Sequence, residues 1–243
     1  MSLWMGQLQT QPIPEPSVAR VDADSTVLMF CRHWSALYER MQYGSVHRPS
    51  AGRVLRYISR YLREHVEVPR DTNDYFPVEN YGLPDVGGKN GDGFVRRRYN
   101  FLHGNSHRGH PAHDIFIHDD NQDGLDDRNG RPVHVIAMTD GIVVAVKNDW
   151  TPLDTLRGGN YVMLFNPHRN RYYYYAHNRE VLVKVGDIVK AGTRIAIVGR
   201  SGKNAAPGRS QTHLHLMVLQ LTDERGEPYN YYDELVKSVT SPS

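Results

Sequence analysis

Between residues 25 and 43 apolar side chains return every three or four positions, at Val27, Phe30, Cys31, Trp34, Leu37, Tyr38 and Met41. That period puts them on one face of a helix. Val54, Tyr57, Ile58, Tyr61 and Leu62 repeat it in a second stretch, with Ser50 where an N-cap is expected. Residues 66–110 lose the period and are dense in Gly, Pro, Asn and Asp. A long irregular segment of this kind often lines a functional groove. From residue 111 the texture changes to short strands and turns. VHVIAMTDGIVVAVKND reads as a hairpin turning at Asp140-Gly141, and YVMLFNPHRNRYYYYAH as another turning near Pro167-His168. VLVKVGDIVKAGTRIAIVG holds short strands punctuated by Gly186 and Gly192, and THLHLMVLQL is a last apolar strand. The pattern predicts a mainly β (α+β) fold, a compact antiparallel β-domain preceded by an N-terminal helical pair. Residues 1–24, rich in Gln, Pro and Ser, read as an extended arm, 25–66 as the helical pair, 67–106 as an irregular segment packing on the β-domain, and 107–235 as that domain.

Composition narrows the function classes. The 243 residues, 39% hydrophobic, suffice for a buried core and permit one generous domain or one domain with a small appendage. No apolar run approaches the ~20 residues that span a bilayer. A net charge of +2 gives no ground for a nucleic-acid partner. The single cysteine, Cys31, rules out an intrachain disulfide, and its place in the helical stripe reads as core rather than as a catalytic thiol. The N-terminus shows no basic stretch followed by an apolar core, so no signal peptide is read there. Arg53, Arg56, Arg60 and Arg63 read as a solvated helix face in preference to a polyanion-binding patch.

Thirteen histidines are many for this length. His33, His47, His65 and His168 have no evident partners and receive no role. In His213-Leu214-His215 the alternation of a strand turns both imidazoles to one face, about 7 Å apart, and Leu214, Leu216 and Val218 to the other. Two imidazoles on an apolar strand need polar partners, and a zinc ion is one. His110-Pro111-Ala112-His113-Asp114 reads as HxxxD at the start of the apolar run Asp-Ile-Phe-Ile. Zinc accepts imidazole nitrogen and carboxylate oxygen, and catalytic zinc commonly has three protein ligands. One His and one Asp from this segment with one His from the distant strand make such a set. His107 and His113 are further candidates nearby. Had His113 replaced His110, the adjacent Asp114 would point to the opposite strand face. No HExxH is present, which excludes a thermolysin-like template.

Taken together and in order, these segments resemble the LytM/lysostaphin-type zinc metallopeptidases of bacterial walls. The landmarks are His110…Asp114, Pro132-Val133-His134-Val135-Ile136-Ala137…Gly141, Gly159-Asn160-Tyr161-Val162, Tyr175-Ala176-His177, Val183…Gly186…Val189…Gly192 and Thr212-His213-Leu214-His215. They span roughly residues 107–220 and leave the first hundred residues outside. The resemblance implies a compact antiparallel β-domain with an open metal groove. Its zinc ligands would be His110, Asp114 and His215, with His177 and His213 as two further catalytic histidines. It also implies hydrolysis of peptide bonds in peptidoglycan, and a periplasmic, secreted or wall location. Two positions depart from the family pattern: Ala112 stands where a Gly is common, and Gln211-Thr212 replaces Gly-Pro before the HxH.

The stretch Asp119-Asp120-Asn121-Gln122-Asp123-Gly124 fits the first half of a calcium loop, with Asp127 at the ninth position. Gly130 stands at the twelfth, where an acidic ligand is expected. Calcium on Asp119, Asn121, Asp123 and Asp127 is therefore an expectation beside a plain solvated turn. The rival functions are a catalytically inactive wall-binding or amidase-activating module on the same fold, and a non-peptidase zinc hydrolase such as a nuclease. The first would have lost ligands that are all present here. The second lacks the aromatic-basic pattern of nucleic-acid binders.

Overall fold

The computed structural model describes residues 24–71, 73–206, 208–221 and 226–239. The arm expected over 1–24 lies, except for Asp24, outside the described residues. Two 18-residue helices come first, α1 (Ser25–Gln42) and α2 (Arg48–His65). Then come β1 (Ala112–Phe116), β2 (His134–Ile136), β3 (Gly141–Lys147), β4 (Asn160–Asn166), β5 (Arg171–Asn178), β6 (Glu180–Val181), β7 (Ile188–Val189), β8 (Arg194–Ile197), β9 (His213–Gln220), β10 (Glu227–Tyr229) and α3 (Tyr232–Lys237). No described helix is long and apolar enough to cross a membrane.

The Asp24 carboxylate caps α1 by accepting from the Thr26 amide at 3.2 Å. α2 begins before the expected Ser50 cap. Its N-cap is His47, and Pro49 stands in the first turn, where its fixed φ favours the helix and no amide hydrogen is missed. The buried stripe of α2 is also rotated from the expected one. Ala51, Leu55, Ile58 and Leu62 face the core, while Val54 and Tyr57 are exposed.

The sheets are antiparallel throughout. The larger has the order β1-β9-β5-β4-β3-β7, with β10 also paired to β9, and the smaller has the order β2-β8-β6. The β4–β5 hairpin turns where the sequence predicts. The other expected hairpin does not form, because β2 pairs with β8 in the small sheet and β3 with β4 and β7 in the large one. The chain crosses between sheets at Asp140, whose carboxylate accepts from the Ala191 and Asp71 amides. A turn-forming Asp-Gly pair serves here as a crossover tie.

Both faces of the large sheet are covered. On one, Trp34, Tyr38 and Leu55 of the helices pack with Tyr172, Tyr174, Met217 and Leu219. On the other, Tyr173, Tyr175, Leu214, Leu216 and Val218 pack against Val135, Ile195 and Ala196 of the small sheet. The intervening irregular segment contributes to both cores, Phe101 and Leu102 to the first and Phe76, Val78, Tyr81 and Val86 to the second. Side chains of β9 alternate between these two faces. His213 and His215 share the face of Met217 and Leu219, so the histidine pair emerges where the helix-covered face runs out.

Candidate metal centre

β1 and β9 pair in a register that sets Asp114 directly opposite His215 and Phe116 opposite His213. Directly paired residues project to the same face, so the Asp114 carboxylate meets the His215 ring, with Nδ1 2.9 Å from Oδ1. His110 sits just before β1 and is fixed by a two-way backbone bridge to Val95. Its Nε2 lies 3.2 and 3.1 Å from the two Asp114 oxygens. One ligand atom from each of His110, Asp114 and His215 falls within 4.8 Å of the others. Zinc bonds of about 2.0–2.2 Å in a tetrahedron separate ligand atoms by roughly 3.3–3.5 Å. The two spacings to Asp114 are within a few tenths of an ångström of that and the third is under 4.8 Å, so the trio fits a zinc ion.

Ring orientation follows from the second nitrogens. His110 Nδ1 is 3.1 Å from the Gly93 carbonyl, which can only accept, so Nδ1 carries the hydrogen and Nε2 is turned to the site. Burial works against charge on His110, but the hydrogen bond and charge of Asp114 prevail and raise its pKa. Burial likewise opposes the Asp114 carboxylate, yet hydrogen bonds from His110 and His215 hold it well below the usual range. The His215 pKa is lowered by burial despite Asp114. The pocket thus presents one anionic oxygen pair between imidazole nitrogens, the donor set a divalent cation takes.

His213 and His177 complete the ring of imidazoles. Their ring centroids are 4.9 Å apart, and His177 is 5.6 Å from His215. His213 Nδ1 donates to the Gln211 carbonyl at 2.7 Å and His177 Nδ1 to the Ser201 carbonyl at 2.9 Å. Each neutral ring therefore keeps its lone pair on Nε2. Burial, with His213 and His215 nearby, lowers the His177 pKa well below its ordinary value. Period-two alternation does not account for the position of His177. Ala176 pairs with His215, and the next residue should face the other way. A bulge intervenes: Asn160 pairs with Asn178 and Tyr161 with Ala176, so His177 is the extra residue, at φ +68°.

His107 and His113, the other candidates, part company. His113 is fully buried on the opposite face, with Nε2 2.9 Å from Asn230 Oδ1 and its ring 5.1 Å from Tyr231. His107 lines the groove over the metal centre, and burial pushes its pKa down to about 4. This groove holds about 50 Å³, and the crossing of residues 101–107 supplies Phe101, Gly104, Asn105 and His107 to its lining. The crossing is latched to the β3–β4 connection. Arg157 Nη1 donates to the His107 carbonyl at 2.8 Å, the Arg157 amide to Asn105 Oδ1 at 2.8 Å, and Asn105 Nδ2 to the Thr155 carbonyl at 3.0 Å. Sequence reasoning misses Arg157, Asn105 and the Gly93 and Ser201 carbonyls. A backbone carbonyl leaves no mark on residue type, and no spacing links 105 to 157.

The structure gives the calcium expectation no support. Asp119 accepts from the Asp123 and Gly124 amides and from Thr212 Oγ1. Asn121 Oδ1 accepts from the Asp123 amide, and its Nδ2 donates to Asp123 Oδ2. Asp123 accepts from the Leu125 amide and Asp127 from the Asp120 amide. The four side chains accept from turn amides, and the described residues gather a metal-ligating trio only at His110, Asp114 and His215. The loop instead ties Asp119 to Thr212, next to His213.

Residues 120–230 match the profile of peptidase family M23. This segment is similar to that peptidase family. The match includes His177, His213 and His215 and begins after His110 and Asp114, so the last two stand on the geometry above. Among solved structures, the catalytic domain of the antimicrobial peptidase lysostaphin from Staphylococcus simulans is 23% identical, with 55% of this chain and 81% of that chain covered and a TM-score of 0.38. A zinc-containing peptidase from Vibrio cholerae is 23% identical over 65% of this chain and 39% of its own, with a TM-score of 0.41. A structure described as a glycyl-glycine endopeptidase, lytM, from Ruminococcus gnavus is 19% identical over 93% of both chains, with a TM-score of 0.46.

Proposed function

We propose that the protein is a zinc metalloendopeptidase that hydrolyses peptide bonds of bacterial peptidoglycan, in stem-peptide cross-links or bridges, and acts outside the cytoplasm. The observation that carries this reading is the convergence of the His110, Asp114 and His215 donor atoms beside two imidazoles whose Nδ1 atoms are bonded to backbone carbonyls. Zinc held by the trio supplies Lewis acidity and water activation, the chemistry of metal-assisted hydrolysis. His177 and His213, with Nδ1 pinned by carbonyls, keep Nε2 ready to take a proton from the attacking water and to return it to the leaving amine. The burial that lowers the His177 pKa keeps its ring neutral and able to accept. Protonated, the same rings would donate to the oxyanion of the tetrahedral intermediate.

Digestion of purified sacculi from several bacteria, with mass analysis of the products, tests the reading. New amino termini at peptide bonds, lost when zinc is removed and restored by adding it back, are the expected result. Zinc-loaded protein that binds sacculi but cleaves no wall peptide would replace this reading with the inactive wall-binding or amidase-activating module.

A further inference from the structure

The net charge of the chain is only +2, yet its basic residues are unevenly placed. Residues 93–113 hold four arginines and four histidines and no acidic residue. Of the arginines, Arg96 pairs with Glu227. Arg97, Arg98 and Arg108 are exposed, and among the described residues none of the three pairs with a carboxylate.

The fold holds these three together beside the metal centre. The Tyr99 amide closes a turn onto the Arg96 carbonyl, at 3.0 Å, which presents Arg97 and Arg98 at its tip. The base of that turn is the Val95–His110 backbone bridge, so it is fastened to a residue of the metal trio. Gly109 permits the approach. It has φ +84°, and a Cβ there would come within 2.8 Å of the Val95 and Arg97 carbonyl oxygens. Arg97, Arg98, Arg108 and Gly109 line a cavity of about 350 Å³. Gly109 also lines the groove over the metal centre, so the two spaces adjoin. On the groove side Arg157 adds another guanidinium, and the one carboxylate at the centre, Asp114, is held between His110 and His215.

Unpaired guanidinium groups beside a groove attract carboxylates, by point charge and by paired N–H donors. We propose that the peptide accepted at this centre is acidic, with a free carboxylate close to the scissile bond seated against Arg97, Arg98 and Arg108. This rests on the peptidase reading above and refines it: a stem peptide bearing carboxylates fits, and an uncharged glycine bridge gains nothing from these residues.

The test uses cross-linked muropeptides from one wall in two forms, with free carboxylates left intact or converted to primary amides. Binding to the metal-free protein is measured by calorimetry, and cleavage by the zinc-loaded protein in parallel. The intact form should bind about 10-fold more tightly, the scale of a few exposed ion pairs acting together. The difference should shrink in about 0.5 M salt and vanish in R97A/R98A/R108A. It should persist in R97K/R98K/R108K, which keeps the charge. Equal binding of the two forms by the unmodified protein overturns the proposal, as does a preference that survives the alanine variant. A retained binding preference without cleavage overturns the peptidase reading and leaves this one standing.

Discussion

Asp114 and His215 stand directly opposite each other across β1 and β9, with Asp114 Oδ1 2.9 Å from His215 Nδ1. A ligand pair with 100 residues of chain between its members is thus set by strand register. A slip of one residue would send Asp114 to the opposite face, into the place of Ile115 opposite Leu214. The site and the fold are therefore one commitment.

Metal content depends on that pairing. Protein prepared without added metal should contain about one zinc per chain by elemental analysis. H110A, D114A and H215A should each remove most of it. Chelation should lower the melting temperature, since a ligand at a thousand times its Kd contributes about 4 kcal/mol. Full zinc occupancy in H215A would refute the ligand assignment.

His177 and His213 are not needed to complete a three-ligand site. H177A and H213A should keep their zinc, while hydrolysis of sacculi falls by at least ~100-fold in each, the scale of a lost acid–base or oxyanion group. The double variant should be little worse than the worse single one, because both rings serve one transition state. Near-normal turnover by both single variants would remove them from the mechanism.

Local periodicity made part of this legible. HxH on a strand and HxxxD at a strand entry encode their geometry in spacing, and the α1 stripe encodes its buried face. The pairing of β2 with β8 is not local: His134–Ile136 meets Arg194–Ile197 across sixty residues, and the intervening Asp-Gly looks like a hairpin turn. In α2, Val54 and Tyr57 suit an apolar face as well as Leu55 does, and packing on the sheet decides between them. Asp119, Asn121 and Asp123 read as metal ligands because short oxygen side chains serve turns and cations alike.

The N-terminal helices share a core with the sheet face that carries the metal centre. Trp34 is fully buried and stacks on Tyr172 at 5.1 Å, and Tyr172 Oη meets Ser59 Oγ of α2 at 2.6 Å. W34A should therefore cost about 3–5 kcal/mol in urea denaturation, as large-to-small changes in a core do. Fluorescence and circular dichroism should report one coincident transition. Separate melting of helices and sheet would contradict a shared core.

Glu79 ties the irregular segment to the small sheet. It accepts from His134 Nδ1 at 2.9 Å and from Arg194 Nε and Nη2 at 2.9 and 2.6 Å. Burial opposes its charge, but these partners prevail and hold its pKa below the ordinary 4.5. A depressed carboxylate stabilises the fold above its unfolded pKa and loses that contribution as pH falls through the folded value. E79Q should therefore destabilise at pH 7, and its difference from the unmodified protein should narrow below about pH 4. A difference constant across that range would show that the charge of Glu79 contributes nothing.

The bulge at His177 trades stability for aim. Its φ of +68° lies in the left-handed region, which costs a non-glycine residue about 1 kcal/mol. In return the ring turns from the face its strand position dictates to the one holding His213 and His215. At an ordinary strand position Gly is the less stable residue, because it loses more backbone entropy and packs nothing. Here the order should invert. H177A and H177G both lose the ring and its bond to the Ser201 carbonyl, so they differ only in how readily the backbone adopts this conformation. H177G should be the more stable by about 1 kcal/mol in urea denaturation, and both should be equally impaired in hydrolysis. If H177A proves the more stable, the backbone at 177 is not strained, and the position of the ring needs another cause.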